Sequence, residues 1–145
     1  MNIKIREMVA ADKEAVKEMM RVFYASAAVY TSGSEEIFEA DTENCVNDNP
    51  FLEGYILEDA GETVGYAMVA KSFSTEFGKP CIWIEDLYLK ETARGKGAGS
   101  AFFAYITQKY EGAIFRLEVE AENEVAVRLY KKCGFIVLPY MEMKK

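Results

Sequence analysis

The sequence predicts a mixed α/β (α+β) fold: a mostly antiparallel sheet of about six or seven strands flanked by about four helices. Three observations predict it. Short apolar segments separated by hairpin turns run from Tyr55 to Ile84, the pattern of consecutive antiparallel strands. Stripes of helical period occur near both ends of the chain. Between them, Trp83 to Phe103 passes from an apolar strand through a basic, glycine-dense turn into an amphipathic pattern.

Taken in order, Ile3 and Ile5 alternate with Lys4 and Arg6, a short first strand. Asp12 opens or caps a helix on which Val16, Met19, Met20, Phe23 and Ala27 share one face. That helix fades at Tyr30–Gly33, and Ser34-Glu35-Glu36 starts a second one reaching about Val46, with a weak apolar stripe. Tyr55–Glu58 and Thr63–Phe73 read as strands about the turn at Asp59–Glu62. Cys81–Ile84 is apolar at consecutive positions, as a strand covered on both faces must be. Ala98, Ala101, Phe102, Tyr105 and Ile106 mark a third helix, ended near Gly112. Ile114–Glu120 forms a strand with Ile114, Arg116, Glu118 and Glu120 on one parity and Phe115, Leu117 and Val119 on the other. Asn123 begins a last helix that Gly134 closes. Phe135–Leu138 and Tyr140–Met143 read as a final strand pair about Pro139.

The chain has 145 residues, which suits one domain, 1–145, with one core. It is 50% hydrophobic and 13% aromatic, which excludes a disordered chain. No apolar run approaches the roughly 20 residues that span a bilayer, so a soluble cytoplasmic protein with no membrane partner is expected. There is no histidine, so Ser-His-Asp and Cys-His catalysis and histidine-ligated metals are excluded. Cys45, Cys81 and Cys133 have neither C-x-x-C nor zinc spacing, so no metal site is expected. The net charge of −7 argues against nucleic acid as a partner. It suits a cationic substrate drawn in by the field, or serves solubility alone.

Arg94-Gly95-Lys96-Gly97-Ala98-Gly99 is an anion cradle by construction, because glycines leave the backbone N–H groups of residues 95 to 100 bare at a helix N-terminus. A P-loop fails because Gly97 follows Lys96 and Lys90 stands where its first glycine belongs. A dinucleotide fingerprint fails because Ser100 stands where its last glycine belongs and antiparallel strands precede the turn. Arg-x-x-Gly-x-Gly, here Arg94, Gly97 and Gly99, does match. It resembles the acyl-CoA pyrophosphate loop of the GCN5-related N-acetyltransferase (GNAT) family. Two further stretches resemble that family in order. Ile84-Glu85-Asp86-Leu87-Tyr88-Leu89 looks like its central strand, and Asn123 to Phe135 like its closing motif, Asn-x-x-Ala-x-x-Leu-Tyr-x-x-x-Gly-Phe.

The resemblance implies a GNAT-like fold with a splayed central strand pair, acetyl-CoA as cofactor, and direct acetyl transfer to a primary amine. It implies that Leu87, Tyr88 and Leu89 hold the pantetheine arm through their backbone, with the Leu87 N–H as oxyanion donor. Arg94, Gly95, Lys96, Gly97, Ala98, Gly99 and Ser100 would hold the pyrophosphate. Asn123 would contact the CoA arm; capping the last helix is its plain alternative. Glu85, set among apolar neighbours, is the candidate base; a structural ion pair with Arg116 or another basic residue is the alternative. Tyr130 is the candidate acid, or a core tyrosine with a satisfied hydroxyl. Asp86 anchors a cationic amine or is bonded to a nearby backbone group or Arg. Tyr24, Tyr30 and Phe38 line an acceptor site or pack the core. Glu85-Asp86-Leu87-Tyr88 also resembles the polyamine and diamine acetyltransferase branch, which implies a small-molecule amine as partner, a polyamine or an amino-acid-like amine. A protein N-acetyltransferase and a non-catalytic CoA-binding module are the rivals. Similar proteins are commonly homodimers.

Overall fold

The computed structural model describes residues 2–145. Its sheet has five strands in spatial order: β1 (Ile3–Glu7), β2 (Leu52–Asp59), β3 (Glu62–Ser74), β4 (Lys79–Leu89) and β5 (Ile114–Leu117). The first four are antiparallel, and β5 pairs parallel to β4 after a helical crossover. The helices are α1 (Lys13–Tyr24), α2 (Glu35–Val46), α3 (Ala98–Lys109) and α4 (Glu124–Lys132).

Alternation along the strands divides the core into two layers. Tyr55, Leu57, Ala67, Val69, Ile82 and Ile84 meet Phe102, Phe103 and Ile106 of α3. Ile56, Tyr66, Met68 and Tyr88 meet Val16, Met19 and Met20 of α1 and Phe38 of α2 on the other face. The weak stripe of α2 is supplemented by charge. Lys13 and Lys17 of α1 both reach Glu39, and Arg21 reaches Glu35. Exposed pairs of this kind contribute about 0–1 kcal/mol each, so the buried Phe38 and Thr42 hold the helix. Ser34 caps it, accepting from the Ile37 amide at 3.2 Å.

The sheet has five strands rather than the six or seven expected, and the expected pair at Phe135–Leu138 and Tyr140–Met143 is not formed. Strand composition is present there, but no ladder partner lies alongside. Ile136, Val137, Met141 and Met143 are consequently 80–85% exposed. β5 stops at Leu117 instead of Glu120 for a related reason: its partner turns away.

The turning point is residue 85. Val69 pairs with Ile84, but the next β3 residue, Met68, pairs with Asp86. Glu85 is therefore the extra residue of a β-bulge, which bends the strand and shifts its side-chain parity by one. Ile82 and Ile84 face α3, and beyond the bulge so do Leu87 and Leu89. Asp86 and Tyr88 are sent to the α1/α2 face. β4 and β5 pair only from Cys81/Ile114 to Ile84/Leu117 and then diverge. The expected splay of the central pair is thus present, and the bulge causes it.

Candidate active site

The splay leaves one edge of β4 open from Glu85 to Leu89. The direction of its peptide groups follows from one hydrogen bond. The Lys90 amide donates to Val64 O on β3 at 2.8 Å. Amides alternate sides along a strand, so those of Tyr88 and Asp86 also face β3, and those of Leu87 and Leu89 face the gap. The carbonyls agree: Leu89 O, on the gap side, accepts from Arg94 Nε at 2.9 Å. Leu87 therefore presents both its N–H and its C=O to the gap, and the Tyr88 backbone belongs to the ladder. The Tyr88 ring lies beneath the Arg94 guanidinium, 5.6 Å from its centroid.

The glycine turn closes one end of the gap. Gly95 (φ 72°) and Gly97 (φ 87°) are left-handed, and a Cβ on either would meet nothing within 4 Å. The space in front of the turn is open. Gly97 is the N-cap of α3, so the amides of Ala98, Gly99 and Ser100 are first-turn donors without intrahelical acceptors. Lys96 folds back to Thr92 O at 2.8 Å. This arrangement fits a pyrophosphate: an exposed glycine turn, first-turn amides without intrahelical acceptors, a helix N-terminus and two flanking cations. Gly99 has a second role. A Cβ there would sit 2.7 Å from Leu129 Cδ2, so this glycine lets α4 pack against the start of α3. Gly99→Ala is expected to lower stability by about 1–3 kcal/mol through overpacking, read as a lower midpoint in urea unfolding.

That contact brings α4 to the site. Leu129 faces the core, and Tyr130, next on the helix, packs edge-on against Phe103 with centroids 5.7 Å apart. Its hydroxyl has no hydrogen-bond partner among the described residues, and burial raises its pKa, keeping the phenol protonated at neutral pH. It lines a groove of about 1070 Å³ along β5, with Arg116, Glu118, Phe135, Tyr140 and Glu142. Asn123 takes its plain alternative and caps α4, its Oδ1 accepting from the Ala126 amide at 3.3 Å.

On the α1/α2 side the carboxylates gather. Asp86 is 5% exposed and accepts from Tyr24 Oη at 3.0 Å and Tyr66 Oη at 2.7 Å. Desolvation raises its pKa, while the two hydroxyls oppose the rise. Glu85 makes no ion pair among the described residues, and its alternative partner Arg116 stacks on Trp83 instead. Desolvation, then Asp86, Asp41 and Glu142, raise the Glu85 pKa. Glu118, beside the carboxylate of Glu142, is pushed up to about 7. Tyr30 is 84% exposed in the turn between α1 and α2.

Asp41 and the two tyrosine bonds are absent from the sequence-based site. Asp41 lies on α2, and burial, then Asp86, push it up to about 6. Its folded pKa lies above the unfolded value near 4, so its contribution to stability is full below about pH 4 and lost as pH rises through about 6. Asp41→Asn is expected to raise the thermal midpoint at pH 8 and leave it unaltered at pH 4, an effect on the order of 1 kcal/mol after solvent screening.

Comparisons with known proteins agree with this geometry. The family model described as Acetyltransferase (GNAT) family matches residues 14–135. The thialysine N-epsilon-acetyltransferase of Sus scrofa is 33% identical over 146 aligned positions, covering 92% of this chain and 84% of that protein. An uncharacterized N-acetyltransferase of Bacillus subtilis, YhfO, is 28% identical over 92% of this chain and 89% of its own length. Among solved structures, one described as a possible acetyltransferase from Clostridium difficile 630 superposes with a TM-score of 0.82 at 18% identity, covering 99% of this chain and 96% of that one. AAC(6')-Iy in complex with a bisubstrate analog superposes at 0.79 with 15% identity, over 100% and 98%. At such identities the likeness of these two is one of fold.

Proposed function

The chain belongs to the acetyltransferase (GNAT) family and is an acetyl-CoA-dependent acetyltransferase, and we propose that it acetylates the primary amine of a small molecule by direct attack in a ternary complex. The observation that carries this is the bulge. It places a carboxylate of raised pKa, Glu85, beside an open strand edge whose Leu87 N–H points into the gap.

Acetyl-CoA, when bound, supplies an acetyl group activated as a thioester. The turn from Arg94 to Ser100 would hold the pyrophosphate, the gap-facing groups of Leu87 and Leu89 would hold the arm, and Asn123 would contact that arm. Asp86, fixed by Tyr24 and Tyr66, attracts the acceptor's ammonium. Glu85 takes the proton that the amine must lose, through a water. The Leu87 N–H meets the charge developing on the carbonyl oxygen. Tyr130 donates a proton to the departing sulfur. With no histidine in the chain, no Cys-His nucleophile competes with this direct route.

The carboxylates of Glu85, Asp86 and Asp41 on one side of the gap favour a polyamine or an amino-acid-like amine over nucleic acid or a membrane surface. The relative's action on thialysine supports the same class. A single domain, a cytoplasmic location and a homodimer covering Ile136, Val137, Met141 and Met143 complete the proposal. The test is a turnover screen with acetyl-CoA over polyamines, amino acids, aminoglycosides and peptides, following thiol release. Turnover with a small amine is expected. Turnover confined to peptides would transfer the assignment to protein acetylation, and binding of CoA without any turnover would favour a regulatory module.

A further inference from the structure

One cation on the acceptor face has no counter-charge. Arg116 of β5 is half-buried and pairs in register with Trp83 of β4. Its guanidinium lies over the Trp83 ring, 4.6 Å from the centroid. No carboxylate lies within ion-pair distance among the described residues. Arginine stacked on tryptophan is held flat, with its fork of donors free for a planar anion.

The surroundings suit such an anion. A polar depression of about 250 Å³ lies where the β3–β4 hairpin meets β5. Ser72, Ser74, Thr75, Trp83 and Arg116 line it, offering hydroxyls beside the guanidinium. Glu76 also lines it, and its carboxylate accepts from the Tyr140 hydroxyl. A cation, hydroxyls and one carboxylate in a single depression are the chemistry that recognises a zwitterionic amino-acid head: carboxylate to Arg116, ammonium to Glu76.

The place is also right. Trp83 shares the sheet face of Asp86, since Ala70 and Met68, their β3 partners, are two residues apart. Trp83 and Glu85 are two residues apart on β4 and Arg116 stands one strand over, so the Arg116 and Glu85 backbones are about 8–9 Å apart. Hydrogen-bond reach of about 3 Å at each end brings the separation within the span of a lysine-length acceptor. Its head would lie in the depression and its terminal amine beside Glu85.

We propose that Arg116, stacked on Trp83, is a specificity-determining residue that binds the carboxylate of an amino-acid acceptor whose side-chain amine is presented to Glu85. The proposal rests on the small-amine acetyl transfer proposed above and narrows it, separating diamino acids from polyamines of equal length.

The experiment compares L-lysine and thialysine with 1,5-diaminopentane, which lacks the carboxylate. Two measurements are made on the wild type, Arg116→Gln and Arg116→Lys. One is kcat/KM with acetyl-CoA. The other is calorimetric binding of each acceptor to the protein saturated with CoA. The wild type is expected to favour the amino acids at least 30-fold, and Arg116→Gln to collapse that ratio to within about 3-fold, chiefly through KM. Arg116→Lys should restore it in part, because a lysine offers charge without the bidentate fork. Equal use of the diamine by the wild type, or equal loss on all three substrates in Arg116→Gln, overturns the proposal. Arg116-dependent binding of the amino acids without turnover sustains the carboxylate site and sinks the transfer reading. Turnover of amines with no amino-acid binding does the reverse, and neither binding nor turnover sinks both. Unchanged urea midpoints exclude misfolding.

Discussion

Glu85→Gln is expected to lower kcat/KM by about 10²- to 10⁴-fold, the contribution a positioned general base makes. Affinity for CoA should stay the same, because Glu85 lies off the glycine turn. The pH profile is the sharper readout. Desolvation first, then the neighbouring Asp86, Asp41 and Glu142, raise the Glu85 pKa. Wild-type activity should therefore fall away on the acid side at a pH above the ordinary carboxylate range, and the variant should lack that limb. The stability sign is opposite. A carboxyl raised in the fold favours the folded state while protonated, and that contribution is lost as pH rises through its folded value. Removing the charge should thus leave the unfolding midpoint at pH 7 unchanged or raised. A variant with an unaltered pH–rate profile would exclude Glu85 as the base. Tyr130→Phe complements it: kcat should fall at least 10-fold with CoA binding retained, and an unchanged kcat would remove Tyr130 as the acid.

Gly97→Val should have a comparably large effect on the other substrate. At φ 87° a β-branched residue is strained, by about 1–3 kcal/mol. Its side chain would also enter the open space in front of the first-turn amides of α3. KM for acetyl-CoA should rise by two orders of magnitude or more, and calorimetry with CoA should show binding lost in proportion. Gly95→Val should behave alike. Gly99→Ala should separate from both, moving stability first. Equal CoA affinity in wild type and Gly97→Val would show that the pyrophosphate lies elsewhere.

How much of this was legible in the sequence depended on range. Each helix and each of the five strands came from local pattern, because period and capping are local. Asn123, Ser34 and the glycines at 95 and 97 are examples. The parity of β5, with Arg116 and Glu118 opposite Phe115 and Leu117, was also readable. What pattern cannot give is partnership. Phe135–Leu138 has strand composition, yet a strand exists only beside another, so the tail stayed irregular. β2 begins at Leu52 rather than Tyr55 because β3 is long enough to pair with it there. Leu52-Glu53-Gly54 carries no signal of its own. The binding of Asp86 by Tyr24 and Tyr66 spans 62 and 20 residues, beyond any spacing rule. The one available hint was a tyrosine inside the apolar run of β3, since a buried hydroxyl requires a partner. Tyr30 drew attention by type alone and lies in solvent.

The bulge has a consequence for how freely this site can change. Glu85 is the β4 residue without a β3 counterpart, so the ladder does not depend on which side chain stands there. Its neighbours Ile84 and Asp86 are each tied to a core or a hydrogen-bonded cluster. The position proposed to take the reaction's proton is therefore one of the least constrained in the sheet. Chemistry at 85 can be exchanged with little disturbance of the scaffold, which makes it a natural point for redesign. Deleting the residue is another matter. It would pair Ile84 and Asp86 with consecutive β3 residues, leave Asp86 toward α1 and α2 and Leu87 toward α3, and remove the bend that parts β4 from β5.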